Sequence, residues 1–305
     1  DKIIDDIVTT PIHQIHLNKH TLYLKSETFQ SVGSFKIRAG SSALESIPVK
    51  KLSKGIITPS AGNFGQGIAR AALKRKIPIT VIAPNTSSKV KITELQRMGA
   101  AVKIVNFHTW WNVMMSRYTD SSATFVHPVS ELSVILGNGS IGLELIKQLP
   151  DLENIIVPVG GGGLICGIAL ALKAARVKCK IIACEIETST PLKAAKLIGK
   201  PVKVARGKSW VDGIGSNSVL EEMWPLLNLL VDEVVTISHQ EAAFAMQLLD
   251  KKLSIISEGA GAVAVAAGLR PQFFGTKTVS VITGGNIDTN TYAEIIAGNY
   301  NYNLN

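Results

Sequence analysis

Cysteine is scarce in this chain: Cys166, Cys179 and Cys184 are all there is in 305 residues. An odd number on apolar segments makes no disulfide framework, and no Cys/His spacing resembles a zinc site. The thiols read as buried groups in a reducing compartment, the cytoplasm. Long apolar runs are also lacking. Each hydrophobic stretch is broken by Lys, Arg or Gly well short of the ~18 residues that a membrane helix needs, and no basic-then-apolar leader opens the sequence. Aromatic residues make up only 6% of the chain, and its net charge of +9 is scattered. The densest basic run, Lys193 to Lys208, has a single tryptophan, Trp210, just beyond it. That is not the clustered, ring-interleaved pattern of a nucleic-acid binder. It leaves a solvated basic surface that modestly favours an anionic ligand. No G-x-x-x-x-G-K-[ST] occurs, so a triphosphate-binding loop is not expected.

What is present is a globular composition, 46% hydrophobic and 18% charged. Short β-rich runs (Leu22–Lys25, Gly55–Thr58, Pro78–Ala83, Ala101–Asn106, Thr124–Val126, Asn154–Val159, Lys178–Cys184, Glu233–Ile237, Thr278–Thr283) alternate with amphipathic stretches. Among the latter are Gly67–Lys76, Ser88–Met98, Gly142–Gln148, Leu164–Ala175 and Gln240–Leu249. Alternation of this length predicts α/β architecture: doubly wound, mostly parallel sheets with helices on both faces. So many strands suggest two lobes. Ligands in such folds bind beyond the carboxyl ends of strands.

Four glycine-rich segments are candidates for such a position. Gly160-Gly161-Gly162-Gly163-Leu164 follows the apolar run Ile155–Val159 and precedes a helix, so converging N–H groups and the helix start make an anion cradle, most often for phosphate. The bland alternative is a flexible turn. Ser60-Ala61-Gly62-Asn63-Phe64-Gly65-Gln66-Gly67 offers a hydroxyl, an amide and exposed N–H groups suited to a carboxylate, although Ser and Asn also serve as ordinary helix caps. Gly137-Asn138-Gly139-Ser140-Ile141-Gly142 matches G-x-G-x-x-G but lacks an acidic residue at the end of the following strand, and reads as the turn into a helix. The Gly160 cluster misses that spacing, although Glu185 stands where a ribose-binding acid could. Thr283-Gly284-Gly285-Asn286 closes the last strand and could present a hydroxyl to a ligand.

Taken in order, Ser31-Val32-Gly33-Ser34-Phe35-Lys36-Ile37-Arg38, Ser60-Ala61-Gly62-Asn63, Val157-Pro158-Val159 with its glycines, Asp212-Gly213, Glu258-Gly259-Ala260-Gly261-Ala262 and Thr283-Gly284-Gly285-Asn286 resemble the fold-type II pyridoxal-phosphate enzymes, specifically the threonine dehydratase and serine racemase family. The resemblance spans nearly the whole chain. It implies a large cofactor-binding domain of residues 1–48 and 137–305, a small substrate-side domain of residues 49–136, and a homodimer. It also implies that Lys36 bonds the cofactor covalently and later acts as the base at Cα; a buried lysine would suit this, because desolvation frees the amine. Phe35 would lie against the pyridine ring and Asn63 would bond its hydroxyl. Gly160, Gly161, Gly162, Gly163 and Leu164 would hold the phosphate by backbone N–H, and Thr283 would face the ring nitrogen. Ser60, Ala61, Gly62 and Asn63 would receive the substrate carboxylate.

Some positions depart from the family pattern. Ala61 stands where family racemases carry a proton-transferring Ser, so efficient racemisation is not expected. Phe64 replaces a usual His. Trp110 and Trp111 are unusual bulk on a segment that could border the substrate, with core packing the expectation for at least one of them. Pro191 falls where some relatives have a second metal-binding carboxylate after Glu185, so no metal is expected. The chain ends soon after Asn286, which leaves no expected room for a regulatory domain. The implied activity is β-elimination of a small hydroxy amino acid such as L-threonine or L-serine to a 2-oxo acid and ammonia. β-Replacement that makes a non-protein amino acid, and cofactor binding without turnover, stay open beside it.

Overall fold

The structure, a computed structural model, describes residues 6–17 and 20–299. Within them the chain runs β1 (Ile12–Leu17), β2 (His20–Ser26), α1 (Lys36–Ser46), α2 (Val49–Leu52), β3 (Ile56–Thr58), α3 (Asn63–Lys74), β4 (Ile79–Pro84), α4 (Lys89–Arg97), β5 (Ala101–Val105), α5 (Phe107–Ser116), β6 (Thr124–Phe125) and α6 (Leu132–Gln148). It continues with β7 (Asn154–Pro158), α7 (Gly163–Ala174), β8 (Lys180–Ile186), α8 (Pro191–Ile198), α9 (Trp224–Leu230), β9 (Glu233–Ile237), α10 (His239–Leu253), α11 (Gly259–Gly268), β10 (Thr278–Ile282) and α12 (Thr289–Ile296). The expected strands are all present. β1 was not foreseen: its apolar residues are interrupted by histidines, and only Ile15 of the strand is buried, as suits an edge position.

The chain forms two units. The first takes the residues up to Val8 with Gln30–Asn138, and the second takes Thr9–Phe29 with Gly139 onward. The first is built on a four-stranded parallel sheet in the order β5-β4-β3-β6. The second has six strands in the order β1-β2-β10-β7-β8-β9, parallel except where β1 meets β2. The middle strands read as continuous apolar runs because both faces are covered: every residue of β10 is buried, as is β7 beyond Asn154. Helix α11, Gly-Ala-Gly-Ala-Val-Ala-Val-Ala-Ala-Gly, is buried at every position. Its small side chains let it lie close to the sheet, and Ser280 Oγ of β10 donates to the Ala264 carbonyl at 2.7 Å.

Residues 30–48 group with the first unit. The reason is the joint between α1 and α3, which touch backbone to backbone. A Cβ on Gly67 would meet the Lys36 carbonyl at 2.5 Å, and one on Gly40 would meet the Ile68 nitrogen at 2.6 Å. Helix α1 is therefore packed on α3. A correction concerns Gly137–Gly142, which lies inside α6 rather than in a turn. These glycines serve packing: a Cβ on Gly137 would meet the Arg38 carbonyl at 2.6 Å, and one on Gly142 would meet Ala171 Cβ at 2.8 Å.

Candidate active site

In the first unit, the β3 strand ends at Thr58 and the chain turns through Pro59, Ser60, Ala61 and Gly62 into α3. Gly62 is the N-cap of α3 and supplies no side-chain cap, so the first-turn amides and their positive partial charge are left for a ligand. A Cβ on Gly62 would meet nothing within 4 Å. Ala61 is buried, while Ser60, Gly62 and Asn63 are half-buried. Lys36 opens α1, and the α1–α3 joint sets its backbone against Gly67, one turn beyond that loop. Its Nζ lies 4.8 Å from the centroid of the Phe35 ring and 5.7 Å from that of Phe64, within the range of cation–π attraction. Phe64, which replaces a polar residue in the family pattern, is thus a wall beside the lysine amine.

The expectation of a buried Lys36 needs adjustment, because its side chain is half-buried. The fully buried lysine is Lys25, in the second unit. Its amine donates to Glu144, to the Thr10 carbonyl at 2.8 Å and to Gln148 Oε1 at 2.8 Å, a set that fixes it as a charged structural group. Ser34 Oγ and Thr58 Oγ1 are buried and have no hydrogen-bond partner among the described residues. Each lies within two residues of an expected ligand group, and an unmet buried hydroxyl is where a bound molecule or water belongs.

The expected residues of the second unit gather at the carboxyl edge of its sheet. β7 runs into Gly160 and Gly161, and α7 starts at Gly163 with Gly162 as its N-cap and no side-chain cap. Gly162 has φ +91°, and a Cβ there would meet Leu227 Cδ1 at 2.8 Å, so only glycine suits the position. A Cβ on Gly160 would meet the Gly213 carbonyl and Ile214 Cα, both at 3.3 Å, which places the Asp212-Gly213 segment directly on the turn. Gly213 in turn neighbours Ala260 and Glu258, while the Glu258 N–H donates to the Gly284 carbonyl at 3.0 Å. Thr283 is buried at the end of β10. Four of the motifs thus meet in one place, around an uncapped helix start. A phosphate fits this arrangement: no side chain blocks the turn or neutralises its N–H groups.

Two features were not foreseen. Trp110 Nε1 donates to the Pro59 carbonyl at 3.0 Å, which ties α5 to the residue before Ser60. No residue of α5 is buried, so neither Trp110 nor Trp111 is core; Phe107, Trp110 and Trp111 form their own ring cluster, with centroids 5.4–6.4 Å apart. Glu185 is 1% exposed. Its Oε1 accepts from the Leu192 N–H at 2.8 Å and its Oε2 from the Lys193 N–H at 2.9 Å, so it serves the start of α8. Burial pushes its pKa up to about 7, against the pull of those two amides and of Lys193.

Residues 3–284 match the family model for pyridoxal-phosphate-dependent enzymes. The chain is 37% identical over 295 residues to an L-threonine ammonia-lyase of Geobacter sulfurreducens, covering 94% of this chain and 73% of that one. It is 33% identical over 304 residues to a human serine racemase, covering 94% and 88%. Among solved structures, the processed form of threonine deaminase isoform 2 from Solanum lycopersicum superposes with a TM-score of 0.90 at 26% identity, covering 97% of this chain and 89% of that one. With a family model matched over most of its length and relatives above 30% identity, the chain belongs to the pyridoxal-phosphate-dependent enzymes.

Proposed function

We propose that the chain holds pyridoxal phosphate on Lys36 and eliminates the β-hydroxyl of a small amino acid such as L-threonine or L-serine, releasing a 2-oxo acid and ammonia. The observation that carries this reading is the placement of Lys36, with its amine beside the rings of Phe35 and Phe64 and its backbone locked to α3 next to the Ser60–Asn63 turn. The names of the threonine ammonia-lyase and threonine deaminase relatives point the same way.

Bound at Lys36, the cofactor supplies an electron-withdrawing ring that makes the substrate Cα–H acidic. Gly160, Gly161, Gly162, Gly163 and Leu164 would hold its phosphate by backbone N–H, with Phe35 and Asn63 as the residues that would hold its ring. The Ser60 hydroxyl and the amides of Ala61, Gly62 and Asn63 hold the substrate carboxylate at the positive end of α3. The Lys36 amine takes the Cα proton. Thr283 would offer the ring nitrogen a neutral hydroxyl where a carboxylate would impose a proton, a residue choice that suits elimination over transamination. Ala61 has only a methyl group and could not return a proton to Cα, so the reading excludes efficient racemisation.

Among the described residues no helix is long and apolar enough to cross a membrane. Cys166 and Cys184 are buried free thiols, Cys179 is a half-buried one, and burial raises Cys166 and Cys179 to about 12. These inert thiols support a cytoplasmic setting, and the family resemblance supports a homodimer, which sedimentation would test.

The decisive experiment measures ammonia and 2-oxo acid release from a panel of L- and D-amino acids, with Lys36→Ala as control. Release from L-Thr or L-Ser that vanishes in the control is the expected result. No release from any amino acid, with the cofactor's visible absorbance intact, would overturn the lyase reading in favour of a two-substrate synthase or a binder without turnover.

A further inference from the structure

A chain of hydrogen bonds in the second unit lies outside every motif discussed so far. Glu187 follows β8, and its Oε1 accepts from both the backbone N–H of His239 and its ring Nδ1, each at 2.8 Å. The His239 Nε2 lies 2.8 Å from Ser209 Oγ, and Ser209 Oγ accepts from the Val211 N–H at 3.0 Å. His239 is 4% exposed. Because Glu187 can only accept when ionised, it fixes the ring proton on Nδ1, and Nε2 then accepts the Ser209 proton. Serine, histidine and glutamate at these distances resemble a nucleophilic triad. Here, however, the serine oxygen is also engaged by the amide two residues on, so the arrangement has the character of a clamp.

The clamp holds a segment without regular secondary structure. Residues 209–214 lie between two of the glycine-rich turns. The Trp210 ring and Val211 Cγ2 would be 2.6 and 2.9 Å from a Cβ on Gly259, while Gly213 and Ile214 approach Gly160. The far side of the segment is held by the Ser189 hydroxyl, which donates to the Ser216 carbonyl at 2.7 Å. Within it, Asp212 Oδ1 accepts from its neighbouring Gly213 N–H at 3.0 Å. Ser209 is thus the near anchor of the strip that backs Gly160.

We infer that His239 and Ser209 are positioning residues for the phosphate cradle: the Glu187–His239–Ser209 chain holds residues 209–214 against Gly160, and so sets the tightness with which the glycine turn grips a phosphate. The inference rests on the reading of the Gly160–Leu164 turn as the cofactor's phosphate site. It predicts a defect specific to phosphate.

The test uses the full chain, stripped of cofactor and titrated with pyridoxal phosphate and, separately, with pyridoxal, following visible absorbance. Ser209→Ala and His239→Ala are expected to weaken pyridoxal phosphate binding about tenfold, the worth of one well-placed hydrogen bond, and to leave pyridoxal binding unchanged. Ser209→Thr, which keeps the hydroxyl, is expected to restore wild-type affinity. Unchanged affinity for pyridoxal phosphate in both alanine variants would overturn the inference. So would equal losses for the two compounds, which would mark general damage to the fold. If the unmutated chain binds both compounds equally, the phosphate reading of the turn fails, and the positioning role with it.

Discussion

Helices α7 and α8 leave the same edge of the larger sheet, from the neighbouring strands β7 and β8, yet their first turns are served in opposite ways. At α8 the chain supplies its own anion, with both oxygens of Glu185 accepting from Leu192 and Lys193. At α7 it supplies none: Gly162 caps nothing, and the turn before it is glycine alone. A helix dipole answered from within is structural, whereas the one left unanswered at α7 leaves room for the proposed phosphate. The difference lies in one side chain on the preceding strand, which is why glycine content alone does not tell the two apart.

The largest effect expected from breaking this contrast is at Glu185. Its pKa of about 7 lies above the ordinary 4.5, so the folded chain binds this proton more tightly than the unfolded one. The stabilisation is complete below pH 4.5 and is lost as pH rises toward and through 7, a change of about 3 kcal/mol. In Glu185→Gln that component is absent. Urea denaturation at pH 5 and pH 8 should therefore show the wild type losing more stability than the variant across the interval. A parallel loss would mean that the α8 amides fully compensate the buried charge.

Gly162→Ala comes next. The left-handed backbone and the approach of Leu227 together should cost about 2 kcal/mol of stability, and cofactor affinity should fall at least about tenfold. Wild-type values in both measurements would show that the turn is not the cradle. The smallest effect on stability, within about 0.5 kcal/mol, is expected for Gly160→Ala, whose Cβ meets its neighbours at 3.3 Å without backbone strain. Its effect on cofactor titration should exceed its effect on urea midpoints, because the atoms displaced are Gly213 and Ile214.

Much of this was legible in the sequence. The runs around Ile155, Ile181 and Val279 are apolar because they sit in the middle of a parallel sheet, and a strand so buried leaves a plain trace. Lys36, Gly160 and Thr283 were proposed from family motifs, and the structure adds the local geometry around each. Gly137 to Gly142 misled, because glycine spacing does not say whether a ligand or another helix needs the room; the partners, Arg38 and Ala171, lie far away in the chain. The Trp110–Pro59 tie and the Glu187–His239–Ser209 chain were not legible. Their contacts join segments 30 to 52 residues apart, and no local pattern records such meetings.

The tie from Trp110 to Pro59 has a consequence for how such a chain can change. Helix α5 buries no side chain, so most substitutions along it carry little thermodynamic penalty. Yet this helix is bonded to the residue that precedes the proposed carboxylate-binding turn. A part of the molecule open to variation is thereby attached to the turn proposed to hold the substrate. New substrate preferences could be acquired there by drift on the surface, while the lysine, held in its backbone-to-backbone joint, stays where the chemistry requires it.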